Sequence, residues 1–174
     1  MSLARAFTLL ELMVVIAIIA VLTTMAVPYY SSYVNKSKTS LAALVLNDFN
    51  TKAISLYNEG QIASGISSLM LDGVTYTDGT PVAINYPPAI GAVFYAPGDG
   101  TVPSNAWAFC VYVSGLNFSG YVQGIGGNYS RLCSMVVVNN GIFTTYCGSW
   151  NNSSADIPAQ YLPDECNVSN VSSM

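Results

Sequence analysis

Residues 9 to 27 read LLELMVVIAIIAVLTTMAV, an apolar run broken only by Glu11, Thr23 and Thr24. Its length is close to the roughly 20 residues that a bilayer-crossing helix needs. A run this apolar has to be covered by lipid or by other chains. A removed secretory signal is one reading. The run exceeds the usual apolar region of such signals, and Pro28-Tyr29-Tyr30-Ser31-Ser32 offers no small-x-small cleavage site. A plain membrane anchor explains the length but leaves Glu11 unexplained. A carboxylate at the bilayer centre costs about 2.5–3.5 kcal/mol on insertion scales. Glu11 lies near the end of the run and costs less there, yet it still calls for a partner.

The helical pattern continues past the apolar run. Pro28 lacks an N–H and crowds the preceding turn, so a kink or local opening is expected there. Beyond it Ala42, Val45, Leu46, Phe49, Ala53 and Leu56 recur at spacings of three and four. Lys38, Asn47, Asn50 and Lys52 fall on the other side, and Gly60 suits a C-terminal cap. A helix from about Thr8 to Glu59 is about 75 Å long at 1.5 Å per residue. The stripe from Ala42 to Leu56 reads as core packing against whatever follows.

Composition narrows the function. Of 174 residues, 52% are hydrophobic and only 8% charged, with a net charge of −4. Charged residues usually make up about a quarter of a globular chain, so much of this surface must be polar-neutral or covered by other subunits. Five basic residues form no dense patch, which argues against binding to phosphate backbones. No histidine is present, removing the commonest general base and metal ligand. No nucleophile is paired with a base, and no cofactor is implied. Asp72, Asp78 and Asp99 stand in turn-like stretches, where Asp serves the backbone, and together make no calcium loop.

Residues 60–104 are rich in Gly, Ser, Pro and Asp, with the turn-forming stretches DGTP, YPPAIG and APGDG. Short β-like pieces, Val74-Thr75-Tyr76 and Ala92-Val93-Phe94-Tyr95, lie between them. GIGG at 124–127 precedes no helical pattern and reads as a turn. Residues 106–113 (AWAFCVYV) form an apolar, aromatic strand, and Tyr121-Val122 starts another. The clearest hairpin is CSMVVVNNGIFTTYC, with its turn at Asn139-Asn140-Gly141 between β-branched flanks. Asn-x-Ser stretches near Asn117, Asn128, Asn151 and Asn167 read as polar surface. The four cysteines, Cys110, Cys133, Cys147 and Cys166, contain no CxxC spacing for zinc. They read as two disulfides in an oxidising compartment, with three connectivities open.

Taken together, FTLLELMVVIAIIAVL resembles the N-terminal signature of type IV pilins: a short leader, a Phe, a Glu four residues on, then a long apolar helix. PYYSSYVNKSK is similar to the stretch that follows the helix proline in type IVa pilins. The close match covers about the first 40 residues. The resemblance implies an α+β pilin fold, in which the second half of the helix packs on an antiparallel sheet of three or four strands. It implies a leader at residues 1–6, with Arg5 on the cytoplasmic side, a membrane and filament-core helix at 7–32, and an amphipathic helix at 33–59. A loop at 60–104 and a sheet with a disulfide-bounded loop at 105–174 complete this division.

The resemblance further implies cleavage between Ala6 and Phe7 by a prepilin peptidase, which also methylates the new Phe7 amine. The family usually has Gly before the cut, and Ala6 is the smallest substitute. Such an amine is largely cationic near neutral pH, with a reference pKa of about 7.7–8.0. Glu11 would pair with it, either one turn away on the same helix or on a neighbouring subunit during assembly. The implied disulfides are Cys147–Cys166, bounding the C-terminal loop, and Cys110–Cys133. The rival set is Cys133–Cys147 with Cys110–Cys166. The implied role is a structural subunit of a surface fimbrium, polymerising with copies of itself after a membrane-bound stage at the inner membrane and its assembly platform. Adhesion, twitching motility and DNA uptake are the uses of such fibres. The alternatives are a minor pilin or type II secretion pseudopilin, and a DNA-binding competence pilin.

Overall fold

The computed structural model describes residues 7–62, 68–77, 79–83, 90–97, 102–116, 120–122, 127–150, 156–166, 168 and 171. The chain divides into two units, Met1–Val34 and Asn35–Met174. One helix, α1 (Leu9–Asn58), begins in the first and ends in the second.

In the first unit every described apolar side chain from Phe7 to Tyr30 is exposed. From Leu9 to Val27 the helix is polar only at Glu11, Thr23 and Thr24, and the two threonine hydroxyls are satisfied locally. Thr23 Oγ1 donates to the Ile19 carbonyl and Thr24 Oγ1 to the Val21 carbonyl, both at 2.7 Å. This is how hydroxyls are carried on an apolar helix without a stranded donor. Pro28 stands inside the continuous helix.

In the second unit the stripe found in the sequence is the buried face: Ala42, Val45, Leu46, Phe49 and Ala53 are all buried. The helix ends in a Schellman motif. Gly60 has φ +72°, its N–H donates to the Tyr57 carbonyl at 3.0 Å, and the Gln61 N–H donates to the Leu56 carbonyl at 2.9 Å.

Among the described residues eight strands follow: β1 (Ser68–Leu71), β2 (Val74–Thr77), β3 (Pro81–Ala83), β4 (Ile90–Pro97), β5 (Ala106–Ser114), β6 (Gly120–Val122), β7 (Gly127–Asn139) and β8 (Ile142–Gly148). β1 and β2 form a separate hairpin, and the other six form one antiparallel sheet in the order β3-β4-β5-β7, with β6 and β8 both on the far edge of β7. The sheet is therefore wider than three or four strands. The added strands are β3 and β4 from the loop segment and the three-residue β6. Their pairing is tertiary and leaves little local signal. The β7–β8 turn falls on Asn140 and Gly141, with φ of 51° and 79°, the pair of left-handed residues that a two-residue hairpin needs.

Alternation divides β5 between two cores. Trp107, Phe109, Val111 and Val113 join the helix residues in one cluster, while Ala106, Ala108 and Cys110 join Met135, Val137, Trp150 and Val171 in another. On the helix side Phe49 meets Tyr76 edge-on at 5.3 Å and Phe109 at 5.4 Å, and Tyr57 meets Phe143 edge-on at 5.7 Å. A near-continuous apolar β5 is thus the mark of a strand buried on both faces. Lys52 ties the helix to the β1–β2 turn by bonding both Asp48 and Asp72. Those two carboxylates hold its ammonium well above the usual lysine pKa.

Candidate functional site

The start of α1 is built from three residues. Thr8 is the N-cap: its hydroxyl oxygen accepts the Glu11 N–H at 3.2 Å. In return Glu11 Oε2 accepts the Thr8 N–H at 3.1 Å and the Thr8 hydroxyl at 3.0 Å. This reciprocal pair is a capping box, signalled in the sequence by Thr8-Leu9-Leu10-Glu11. The sequence reading missed Thr8, although the T-x-x-E spacing was visible. The carboxylate also sits in the first turn, where the helix dipole favours negative charge. Each of these bonds reaches Oε2, and no described residue bonds Oε1. Phe7 lies just outside the helix and is 84% exposed. Ala6 and the rest of residues 1–6 lie outside the described residues. Glu11 is thus held one turn from the Phe7 backbone with one carboxylate oxygen available.

The C-terminal part of the chain is fastened to the sheet by separate devices. Disulfides join Cys110 to Cys133 and Cys147 to Cys166. Register accounts for the pairing. Cys110 and Cys133 are direct partners across β5 and β7, whereas Cys133 lies opposite Gly148 and Cys147 opposite Ser134. Side chains alternate faces, so Cys133 points to the sheet face away from the helix and Cys147 to the helix face. A Cys133–Cys147 bridge would have to cross the sheet. Past Cys166, Val168 runs parallel to the end of β8: its N–H donates to the Cys147 carbonyl and its carbonyl accepts the Ser149 N–H, both at 3.1 Å.

Arg131, on β7 between the β6 and β8 pairings, holds Asp156 through Nε and Nη2, each at 2.8 Å. The carboxylate is buried, and the Ile157 N–H donates to the Arg131 carbonyl at 3.1 Å. Nothing local in the sequence marks this pair, since its members are 25 residues apart. Tyr112 is next to it, and burial raises the phenol pKa against the opposing pull of Arg131. Asp164 and Glu165 stand exposed beside Cys166. Among the described residues no group of His, Cys, Asp or Glu could hold a metal.

A long helix with an exposed Phe and a capped Glu at its apolar start, whose second half packs on an antiparallel sheet, is a pilin-like α+β architecture. The model of the prokaryotic N-terminal methylation motif matches residues 1–27. In that motif and this fold the chain is similar to the type IV pilins. It is 35% identical over 72 residues to the type IV major fimbrial protein FimA of Dichelobacter nodosus, covering 41% of this chain and 38% of that one. It is 24% identical over 170 residues to the type IV major pilin protein PilE of Neisseria gonorrhoeae, covering 95% of each. It is 50% identical over 40 residues to a type IV major alpha-pilin of Moraxella bovis, 23% of this chain and 25% of that one. The matched stretch thus spans less than two fifths of the first of these relatives. No solved structure matches the chain. The family is structural and not enzymatic.

Proposed function

We propose that the chain is the subunit of a type IV pilus, assembled through α1 into a surface filament. The observation that carries this is Glu11: a capped carboxylate with a free oxygen at the head of a helix whose apolar first half is exposed in the single chain. The full-length similarity to a major pilin and the methylation motif support the same reading. In this proposal the precursor sits in the inner membrane, prepilin peptidase cuts between Ala6 and Phe7 and methylates Phe7, and the assembly platform passes the subunit to the fibre. Cleavage creates the cationic amine that Glu11 lacks in the precursor. The free Oε1 then suits the amine of a neighbouring subunit, while Oε2 keeps the helix cap. Pro28 kinks or locally opens the helix as it enters the fibre. Adhesion and twitching motility are the uses this filament fits. The few basic side chains argue against a DNA-gripping role, and the major-pilin relatives favour a major subunit over a minor pilin or pseudopilin.

The test is electron microscopy of sheared surface fibres from cells carrying the native gene, no gene, or Glu11→Ala. Fibres should be present only with the native gene, while Glu11→Ala yields a processed, membrane-inserted protein that assembles poorly. Abundant normal fibres from the variant would remove Glu11 from assembly. Unchanged fibres in cells lacking the gene would remove the chain from the filament.

A further inference from the structure

The apolar run of α1 ends in a cluster of a different kind. From Leu9 to Val27 the run holds no aromatic residue, and directly after Pro28 come Tyr29, Tyr30 and Tyr33. They are 80%, 72% and 72% exposed, so no other part of the single chain covers them. Residues three and four apart share a helix face. Tyr33 therefore stands on the side of both Tyr29 and Tyr30, and the three rings make one patch.

The spacing is that of a bilayer. Leu9, the first helical residue, lies 20 residues before Tyr29, about 30 Å along the axis and close to the thickness of the hydrocarbon core. Glu11 lies 18 residues before Tyr29, which is about five turns, so it falls on the tyrosines' own face about 27 Å away. Between them that face carries Val15, Ile18, Leu22 and Met25, all exposed. One helix face thus runs from carboxylate through aliphatic side chains to phenols over a single bilayer thickness. Tyrosine suits the level where hydrocarbon meets headgroup, because its ring is apolar and its hydroxyl needs a hydrogen-bonding partner.

We propose that Tyr29, Tyr30 and Tyr33 form a phospholipid-binding collar that fixes the depth of α1 in the membrane before assembly. The rings lie beside the upper acyl carbons, and the hydroxyls donate to the oxygens of the lipid headgroup region. The inference rests on the membrane-bound stage of the proposed function and says at what depth that stage holds the helix. With the collar at the outer surface, Phe7 falls at the inner one, where the new amine is to be made. Glu11 then stays near water and away from the bilayer centre, where a carboxylate is costly.

No cysteine of the chain is free, so one added cysteine is a unique site for a spin label. The full chain with Val14→Cys is labelled and placed in vesicles of phosphatidylethanolamine and phosphatidylglycerol. Relaxation of the label by dissolved oxygen, compared with a water-soluble nickel chelate, reads its depth. The three tyrosines are replaced together by phenylalanine, by alanine or by tryptophan, all at exposed positions. Phenylalanine and alanine lack the hydroxyl, so Glu11 sets the depth and the label should move by about 3 Å, two residues of rise, toward the surface on the Glu11 side. Tryptophan prefers the same level as tyrosine and should keep the native depth. An unchanged depth in the phenylalanine and alanine variants overturns the proposal, as does an equal shift with tryptophan. Loss of dipolar broadening between labels at unchanged depth also overturns it, and assigns the tyrosines to a contact between copies of the chain. A native chain that stays out of the vesicles overturns the membrane-bound stage itself and the collar with it. Insertion of the native chain supports that stage whatever the tyrosine variants do.

Discussion

Thr8 and Gly148 show what single residues contribute, and they differ in how visible they are. Removing the Thr8 hydroxyl takes away the N-cap and one of the two donors that hold the Glu11 carboxylate. Thr8→Ala should fray the first turn at a local cost of about 1 kcal/mol, while Thr8→Ser keeps the cap. Amide hydrogen exchange at residues 9–12 in micelles reads the difference: faster in the alanine variant, near native in the serine one. Gly148 is at the point where the tail returns to the sheet. A Cβ there would lie 1.9 Å from the Val168 carbonyl oxygen, which bonds the Ser149 N–H. Backbone is what it would strike, so Gly148→Ala must push Val168 away and break that bridge. Limited proteolysis should then cut the chain beyond Cys166 at enzyme levels that spare the native protein. Thr8 was legible from its spacing to Glu11. Gly148 was not, because its need for a missing side chain is set by a segment 20 residues away that carries no pattern of its own.

Among the elements, the helix was the most legible and the sheet edges the least. The stripe from Ala42 to Ala53 falls on the buried face because a 3.6-residue period brings those positions together, and period is a local property. Gly60 was readable as a cap for a similar reason. At φ +72° with open space around it, its role is conformational and not steric. Gly60→Ala should cost about 1 kcal/mol, since an L side chain disfavours that backbone region; Gly60→Asn should cost less. Thermal unfolding of the three proteins side by side checks the order. β5 and the β7–β8 hairpin also announced themselves, the first by its apolar run and the second by Asn140-Gly141. β3 did not, and β6 showed only as Tyr121-Val122. Each has three residues, and each exists because a longer neighbour offers a free edge. The helix-side location of Asn50 was also misjudged. Its polarity suggested the outer face, yet it is buried, donating to Ser134 on β7.

At the scale of the second unit, the low charge content has a structural counterpart. The sheet is buried on both faces, by the helix on one and by Trp150, Val171 and neighbouring residues on the other. The second cover belongs to a chain segment with little periodic structure, so it has to be fastened. Cys147–Cys166 closes the part of it up to Cys166, with a sequence separation of 19, and Arg131–Asp156 pins that part between the two cysteines. Closing a loop of this size is worth roughly 3 kcal/mol in the chain-entropy account. Breaking the ion pair by Asp156→Ala takes the buried carboxylate from the partly buried Arg131, which costs about 3 kcal/mol or somewhat less. The two devices share one segment, so their effects should not add. With the disulfide open, Asp156 is delivered to Arg131 by a longer and freer chain, and the pair forms less completely. The Cys147→Ser, Cys166→Ser double substitution combined with Asp156→Ala should therefore destabilise by less than the sum of the separate changes. The difference should be on the order of 1 kcal/mol, as for neighbouring sites in contact. Denaturant titration followed by the tryptophan fluorescence of the full chain in micelles measures all corners of that cycle. Strict additivity would mean that the ion pair and the disulfide hold separate pieces of chain, and that the tail docks in two independent steps.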